Sequence, residues 1–405
     1  AIRHALSGVP GPAFLEIPMD VLHSPLDLDT IEMPRFRDYR VASTAPSVLI
    51  DQAADMVCRA TNPMVMAGTA LKWSEGGPAL QRFVEATVIP AYANGMARGQ
   101  LSMSHPQFFN RSRRDALAQA DLVVLAGTPL DFRMKYGGSI PADAKIVQLD
   151  LDETLIGQNR SADVGLVGNL GANLDALCEG IERRGGVDYS AHSAALREIE
   201  NAAEQTLASQ LDSDEVPIDP MRLCRGIADF IATNDEMIVI GDGGDIVAQA
   251  SKVIKVPEHG TWMDPGPLGT LGVGMPFALA AQLSLPNQRV LIVYGDGAFG
   301  LNGFEFDTAV RFGLPIVGIV GNDAAWGQMM RPQAMIYGPD RLVATELSYT
   351  RYDKVVEALG GHGEHVTEPD AIVPALERAF ASGKPALVNV EMRKDIDGMK
   401  GSTYV

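Results

Sequence analysis

Two continuous apolar runs, RVLIVYGD (residues 289–296) and LPIVGIVGND (residues 314–323), end in glycine followed by Asp296 or Asn322. Between them, NGFEFDTAVRFG sets Phe304, Thr308, Ala309 and Phe312 at helical spacing, with Gly313 as a stop signal. Unbroken apolar runs of this length predict strands buried on both faces, as in a parallel sheet. Two such strands joined by a crossover helix deliver their C-terminal ends side by side on one edge. The spacing therefore predicts one carboxylate and one amide oxygen together at the mouth of a sheet.

The same alternation runs through the chain. A helix is expected from Ser47 to about Thr61. NPMVMAGTAL, DLVVLAGTPLDFRMKYGG and AKIVQLDLDE then read as short apolar strands running into turns. This predicts a Rossmann-like α/β domain over residues 47–185. The polar, alanine-rich stretch 189–211 reads as a solvated helix inside a connector, residues 186–215. A second α/β unit, a doubly wound parallel sheet over residues 216–392, opens with the amphipathic PMRLCRGIADFIA and the strand EMIVIGDGGDI. KPALVNVEM is its late strand. Residues 23–46, rich in proline and charge, read as a linker. Residues 393–405 read as a disordered tail or a lid. The chain opens without Met, in AIRHALSGVPGPAFLEIP, which reads as a helix, a turn and a buried strand. Residues 1–22 are thus expected to be the end of a larger domain.

Composition narrows the function. With 405 residues and 46% hydrophobic content the chain has ample core for two or three domains. A formal charge of -18 argues against nucleic-acid binding as a main task, so an anionic substrate needs local cations. Three separated cysteines, Cys58, Cys178 and Cys224, form no zinc or redox spacing, as expected in the cytoplasm. No run reaches the length of a membrane span, so no membrane partner is expected.

Three glycine-rich strand ends fall in the C-terminal unit, at residues 241–244, 266–274 and 295–297. Each can present backbone N–H groups to phosphate. One such loop is commonly a tight turn. Three, with the Asp296/Asn322 pair, point to a diphosphate held with a hard cation such as Mg²⁺, which takes six oxygens. Helix capping and turn chemistry is the competing account of Asp296 and Asn322.

Gly295-Asp296-Gly297 followed by Gly321-Asn322 resembles the signature of the thiamine diphosphate enzymes of the acetolactate synthase and 2-hydroxyacyl-CoA lyase group. Gly321 departs from that signature, which has the first of two asparagines there, while the second, metal-binding position is kept in Asn322. The resemblance implies thiamine diphosphate and Mg²⁺ as cofactors, with Asp296, Asn322 and the carbonyl of Ala324 as metal ligands. It implies cofactor contacts from Gly243, Gly244, Asp245, Gly295, Gly297, Ala298, Ala325 and Trp326. In GPLGTLGVGMPFALAA it implies that the Gly269 carbonyl accepts from the aminopyrimidine, beside Thr270, and that Leu271 wedges the cofactor into its bent form. The resemblance implies that the glutamate that protonates the aminopyrimidine belongs to an N-terminal domain of which residues 1–22 are expected to be the end. The family binds cofactor between two chains, so a homodimer or homotetramer is implied.

Thiamine diphosphate serves as an electron sink for cleavage beside a carbonyl. Acetolactate synthases place Trp where this chain has Pro332, whereas GNDAAWGQ and TPLDFRMKYGG resemble the 2-hydroxyacyl-CoA lyases. RYDKVVEALG also resembles oxalyl-CoA decarboxylase. The implied reaction is cleavage of a 2-hydroxyacyl-CoA to formyl-CoA and an aldehyde or ketone. Acetolactate synthase chemistry, oxalyl-CoA decarboxylation and a non-catalytic binding subunit are the alternatives. Glu346 and Gln328 are the expected catalytic groups, and Arg133 and Lys135 the expected acyl-CoA contacts, with Lys72 a further cation. Ordinary surface charge competes for those cations, and an exposed loop glutamate competes for Glu346. Trp262 and His259 precede the pyrimidine segment, where His259 is as readily structural as catalytic.

Overall fold

The computed structural model describes residues 1–32, 42–234, 237–255 and 261–394. His259 and most of the C-terminal tail lie outside the described residues. The described residues form two six-stranded sheets, each parallel throughout and flanked by helices. The first comprises β1 (Pro63–Ala67), β2 (Ala91–Ala93), β3 (Phe108–Phe109), β4 (Leu122–Ala126), β5 (Lys145–Asp150) and β6 (Val164–Val167), in the order β3-β2-β1-β4-β5-β6. The second comprises β7 (Met237–Asp242), β8 (Trp262–Met263), β9 (Arg289–Gly295), β10 (Val317–Asn322), β11 (His362–Val366) and β12 (Ala386–Glu391), in the order β11-β12-β10-β9-β7-β8. Among the described residues no helix is long and apolar enough to cross a membrane.

Alternation along each strand feeds two cores. In the first sheet Val65, Val124 and Val147 face one apolar cluster, while Met64, Met66, Val123 and Ile146 face another. Helix Ser47–Arg59 seats Ile50, Ala53, Ala54 and Val57 in the former, the i, i+3, i+4, i+7 stripe of an amphipathic helix. In the second sheet Val239, Leu291, Val293 and Ile319 pack on helices Pro220–Ala232 and Ile372–Ala381. Ile240, Ile292, Tyr294 and Val320 pack on Met275, Phe299 and Phe306. Each such fully buried side chain contributes about 1.5–3 kcal/mol.

Three expectations are corrected. Residues 13–18 form no strand, and Phe14 is 91% exposed. An extended segment needs a neighbouring strand to satisfy its backbone, and no strand among the described residues pairs with it. The stretch 189–211 is helical, at Ser190–Gln205 and Ala208–Leu211, but it is not merely solvated. Ser193, Leu196 and Glu200 are buried, and the Glu200 carboxylate accepts the backbone N–H groups of Asn110, Arg111 and Ser112. The crossover after β9 is broken into helix Asp296–Asn302, a 3-10 turn and helix Phe306–Phe312, ended by Gly313 at φ 64. Its buried face is Phe299, Phe306 and Ala309, while Phe304 and Phe312 are exposed, because the break rotates the phase of the helix.

Candidate active site

β7 and β8 build the second sheet in one direction and β9, β10 and β12 in the other, so the strand order reverses between β7 and β9. A crevice at the carboxyl ends of strands is expected at such a reversal. A cleft opens there, lined by Gly243, Gly244, Asp245, Leu271, Gly295, Asp296, Gly297, Ala298, Asp323, Ala325, Trp326, Gln328 and Arg331, among others. Most of the residues expected from sequence are therefore brought together.

Three backbone approaches explain the glycines. A Cβ on Gly243 would lie 2.8 Å from the Gly295 nitrogen, so the ends of β7 and β9 meet backbone to backbone. A Cβ on Gly244 would meet the Gln328 side chain at 2.5 Å, and one on Gly297 would meet the Trp326 ring at 2.7 Å. The segment from Trp326 onward thus lies directly over the two strand ends. Gly244 precedes helix Asp245–Val253, whose first turn lines the cleft through Asp245 and Ile246. Asp245, in its first turn, is paired with Arg331.

β9 and β10 run in register with Gly295 opposite Gly321, so Asp296 and Asn322 leave adjacent strands at matched positions. Asp296 is 2% exposed. Gly297 N–H donates to one carboxylate oxygen at 2.7 Å and Ala325 N–H to the other at 3.2 Å. Burial nevertheless outweighs these bonds and raises its pKa to about 6. Asp323 behaves likewise, raised to about 7 by burial and by the nearby charge of Asp296. Asn322 is fully buried and its Oδ1 accepts Ala324 N–H at 3.3 Å. That short turn holds Ala324 at φ 54, a left-handed conformation that costs a non-glycine residue about 1 kcal/mol or more. The Ala324 carbonyl accepts Leu347 N–H at 2.9 Å, which uses one of its two lone pairs.

The glycine-rich loop 266–274 is anchored by a residue not singled out from sequence. Asp242, fully buried at the end of β7, accepts Gly272 N–H at 2.9 Å and Gly274 N–H at 2.7 Å. Its position in GDGGD was the available signal. Gly269, at φ 60, and Thr270 are exposed on this loop, while Leu271 lines the cleft and packs on the core beneath. Trp262 is buried and donates to Asp264 at 2.9 Å, a structural role. Arg331 and Asp323 were also not singled out from sequence.

Other expected residues lie elsewhere. Residues 345–347 pair with the loop 324–326, and alternation turns Thr345 inward and Glu346 outward. The Glu346 side chain is 72% exposed and lies 3.8 Å from Lys394, outside the cleft lining. Arg133 is held by Asp131, whose carboxylate also accepts Arg133 N–H at 2.9 Å. Lys135 is exposed, and neither cation lines the cleft. Lys72 is half-buried near Asp264, and burial lowers its pKa.

Residues 242–390 match the family described as "Thiamine pyrophosphate enzyme, C-terminal TPP binding domain", and residues 50–177 match "Thiamine pyrophosphate enzyme, central domain". The chain belongs to the thiamine pyrophosphate enzyme family. It is 38% identical to the acetolactate synthase large subunit IlvG of Mycobacterium tuberculosis, over 96% of this chain and 70% of that protein. It is 33% identical to 2-hydroxyacyl-CoA lyase 2 of Caenorhabditis elegans, over 100% of this chain and 70% of that one. The Homo sapiens 2-hydroxyacyl-CoA lyase 2 is 32% identical, over 96% and 68%.

The cleft residues of this thiamine pyrophosphate enzyme fit a cation and a diphosphate. A buried carboxylate, Asp296, and a half-buried one, Asp323, both with raised pKa, lie together, and a cation would relieve the cost of ionising them. Among the described residues no cluster of three or more His, Cys, Asp or Glu side chains could hold a metal. The available donors are instead a carboxylate, an amide oxygen and a backbone carbonyl, a hard set that needs diphosphate oxygens and water to reach six.

Proposed function

We propose that this enzyme is a thiamine diphosphate- and Mg²⁺-dependent lyase that cleaves a 2-hydroxyacyl-CoA to formyl-CoA and an aldehyde or ketone. The bond between C1 and C2 breaks, the hydroxyl proton leaves as the carbonyl forms, and a proton returns to the formyl carbon. The bound cofactor would supply the electron sink for that cleavage. The chain's own residues would hold and orient it. Asp296, Asn322 and the second lone pair of the Ala324 carbonyl would take the cation, and Gly243, Gly244 and Gly297 would admit the diphosphate. Leu271 would press on the bent cofactor from the core side. Gln328 and Trp326 would line the substrate side and exclude water. Glu346, turned outward, supports an acid–base role less well than Gln328 supports a positioning one. A homodimer or homotetramer with the cofactor between chains is part of the same reading.

The observation that carries the acyl-CoA reading is the segment from Asn322 to Pro332. It places Trp326 and Gln328 over the cleft and has Pro332 inside helix Gly327–Tyr337, where the acetolactate synthase resemblance calls for Trp. The 38% identity to an acetolactate synthase favours a second reading, decarboxylation and condensation of 2-ketoacids. The test offers the full-length protein, with thiamine diphosphate and Mg²⁺, a short 2-hydroxyacyl-CoA or pyruvate, and reads products by mass spectrometry. Formyl-CoA with an aldehyde is expected. Acetolactate from pyruvate, with the thioester intact, would replace the first reading by the second.

A further inference from the structure

Behind Asn322, away from the cleft, lies a chain of polar groups that the cofactor contacts do not explain. Asn322 Nδ2 donates to the Thr350 carbonyl at 3.0 Å and to Asn389 Oδ1 at 3.2 Å. Asn389, on β12 and fully buried, donates in turn from Nδ2 to the Thr350 carbonyl at 3.1 Å and to Asp353 Oδ1 at 3.4 Å. Asp353, whose side chain is 1% exposed, is gripped by Arg351 through two bonds of 2.9 and 2.6 Å.

The direction of every bond in this chain is forced. The Thr350 carbonyl and the Asp353 carboxylate can only accept, so Asn389 must turn its NH₂ toward them and its oxygen toward Asn322. Asn322 then faces two acceptors and must turn its own NH₂ inward. Its oxygen is left facing the Ala324 N–H of the turn that follows. A flipped Asn322 would set oxygen against oxygen at two contacts and aim NH₂ at the cation position.

We propose that Asn389 and Asp353 are positioning residues that hold the Asn322 amide in its ligating orientation, so that a charge two side chains away sets the cation affinity of the cleft. This rests on the reading of Asn322 as a metal ligand. Outer-shell partners of ligating groups affect metal affinity by about 10- to 100-fold.

The test measures Mn²⁺ affinity of the full-length protein by electron paramagnetic resonance, with saturating thiamine diphosphate, alongside the melting temperature without cation. Asn389→Leu removes the acceptor for Asn322 and is expected to weaken Mn²⁺ about tenfold. Asn389→Asp keeps an acceptor facing Asn322 while setting a second carboxylate against Asp353. It is expected to hold Mn²⁺ within about threefold of the parent even as its melting temperature falls. A purely structural role would instead make Mn²⁺ affinity follow melting temperature across the two variants, which would overturn the proposal. Asn322→Ala separates the two levels of the argument. Loss of Mn²⁺ there with no loss in Asn389→Leu overturns the relay alone. Parent affinity in Asn322→Ala, or no Mn²⁺ binding by the parent, overturns the metal reading and the relay with it.

Discussion

Asp150 and Asp296 both stand at the carboxyl edge of a six-stranded parallel sheet, one in each domain. Each is buried at the carboxyl end of a parallel strand, and burial raises each to about 6. Their surroundings differ. One Asp150 oxygen accepts Asp152 N–H at 3.1 Å, and the other has no hydrogen-bond partner among the described residues. The glycines beside that edge are spent on the protein itself, since a Cβ on Gly68 would sit 2.2 Å from the Gly127 carbonyl oxygen. Asp296 has a second carboxylate and an amide beside it, and the glycines around it open toward a cleft. One topology thus yields an edge whose glycines pack against the protein in one domain and an edge that lines a cleft in the other. The chemistry resides in what converges on the strand ends, not in the sheet.

The sharpest way to break this contrast is to remove each carboxylate in turn. At about 100 times Kd, thiamine diphosphate with Mg²⁺ should stabilise the protein by about 2.7 kcal/mol, a rise of roughly 5–10 °C in melting temperature. Asp296→Asn should abolish the rise entirely, and Asp150→Asn should leave it intact. Calorimetric scans with and without ligand decide this, and a rise retained in Asp296→Asn would erase the distinction between the two edges.

Glycine substitutions come next. Gly68→Ala drives a methyl into backbone and should cost about 3 kcal/mol in urea denaturation. Gly244→Ala meets only the flexible Gln328 side chain, so it should cost under about 1 kcal/mol while weakening cofactor binding in titration calorimetry. A reversed order would mean that the C-terminal glycines are structural too.

A pH effect of about 3 kcal/mol should mark Asp150. Its folded pKa is raised, so the folded state binds the proton more tightly than the unfolded state does. The resulting stability is present below about pH 4 and is lost as pH rises through about 6. Asp150→Asn should therefore be more stable than the parent at pH 8 and nearly equal to it at pH 4, as read from denaturation midpoints.

The smallest effect belongs to Asp242→Asn. It replaces an acceptor by NH₂ opposite the Gly274 or Gly272 N–H, at about 1–2 kcal/mol. Hydrogen exchange should quicken at those two amides while the strands of the first sheet keep their protection.

Much of the C-terminal unit was legible because its strands are unbroken apolar runs that end in punctuated glycines. β7, β9, β10 and β12 stand where such runs lie, and the three glycine loops converge as expected. Short edge strands carry no such pattern: β3 has two residues and β11 reads HGEHV, so neither stands out from sequence. Glu346 was misplaced because local sequence does not reveal which face a two-residue bridge turns outward. Asn389 and Asp353 were invisible for another reason. Their partners lie 67 and 36 residues from Asn389, and only the assembled sheet brings them together.

The pairing of Gly295 with Gly321 also bears on how far apart the motif halves need to be. What the site requires is that two neighbouring strands finish level with each other. The length of chain that loops out between them is a passenger. An insertion at the exposed bend near Phe304 would stretch the familiar interval between the two halves beyond recognition and leave their meeting point where it is. A single-residue deletion inside β10 would preserve the interval almost perfectly and turn Asn322 to the opposite face of the sheet.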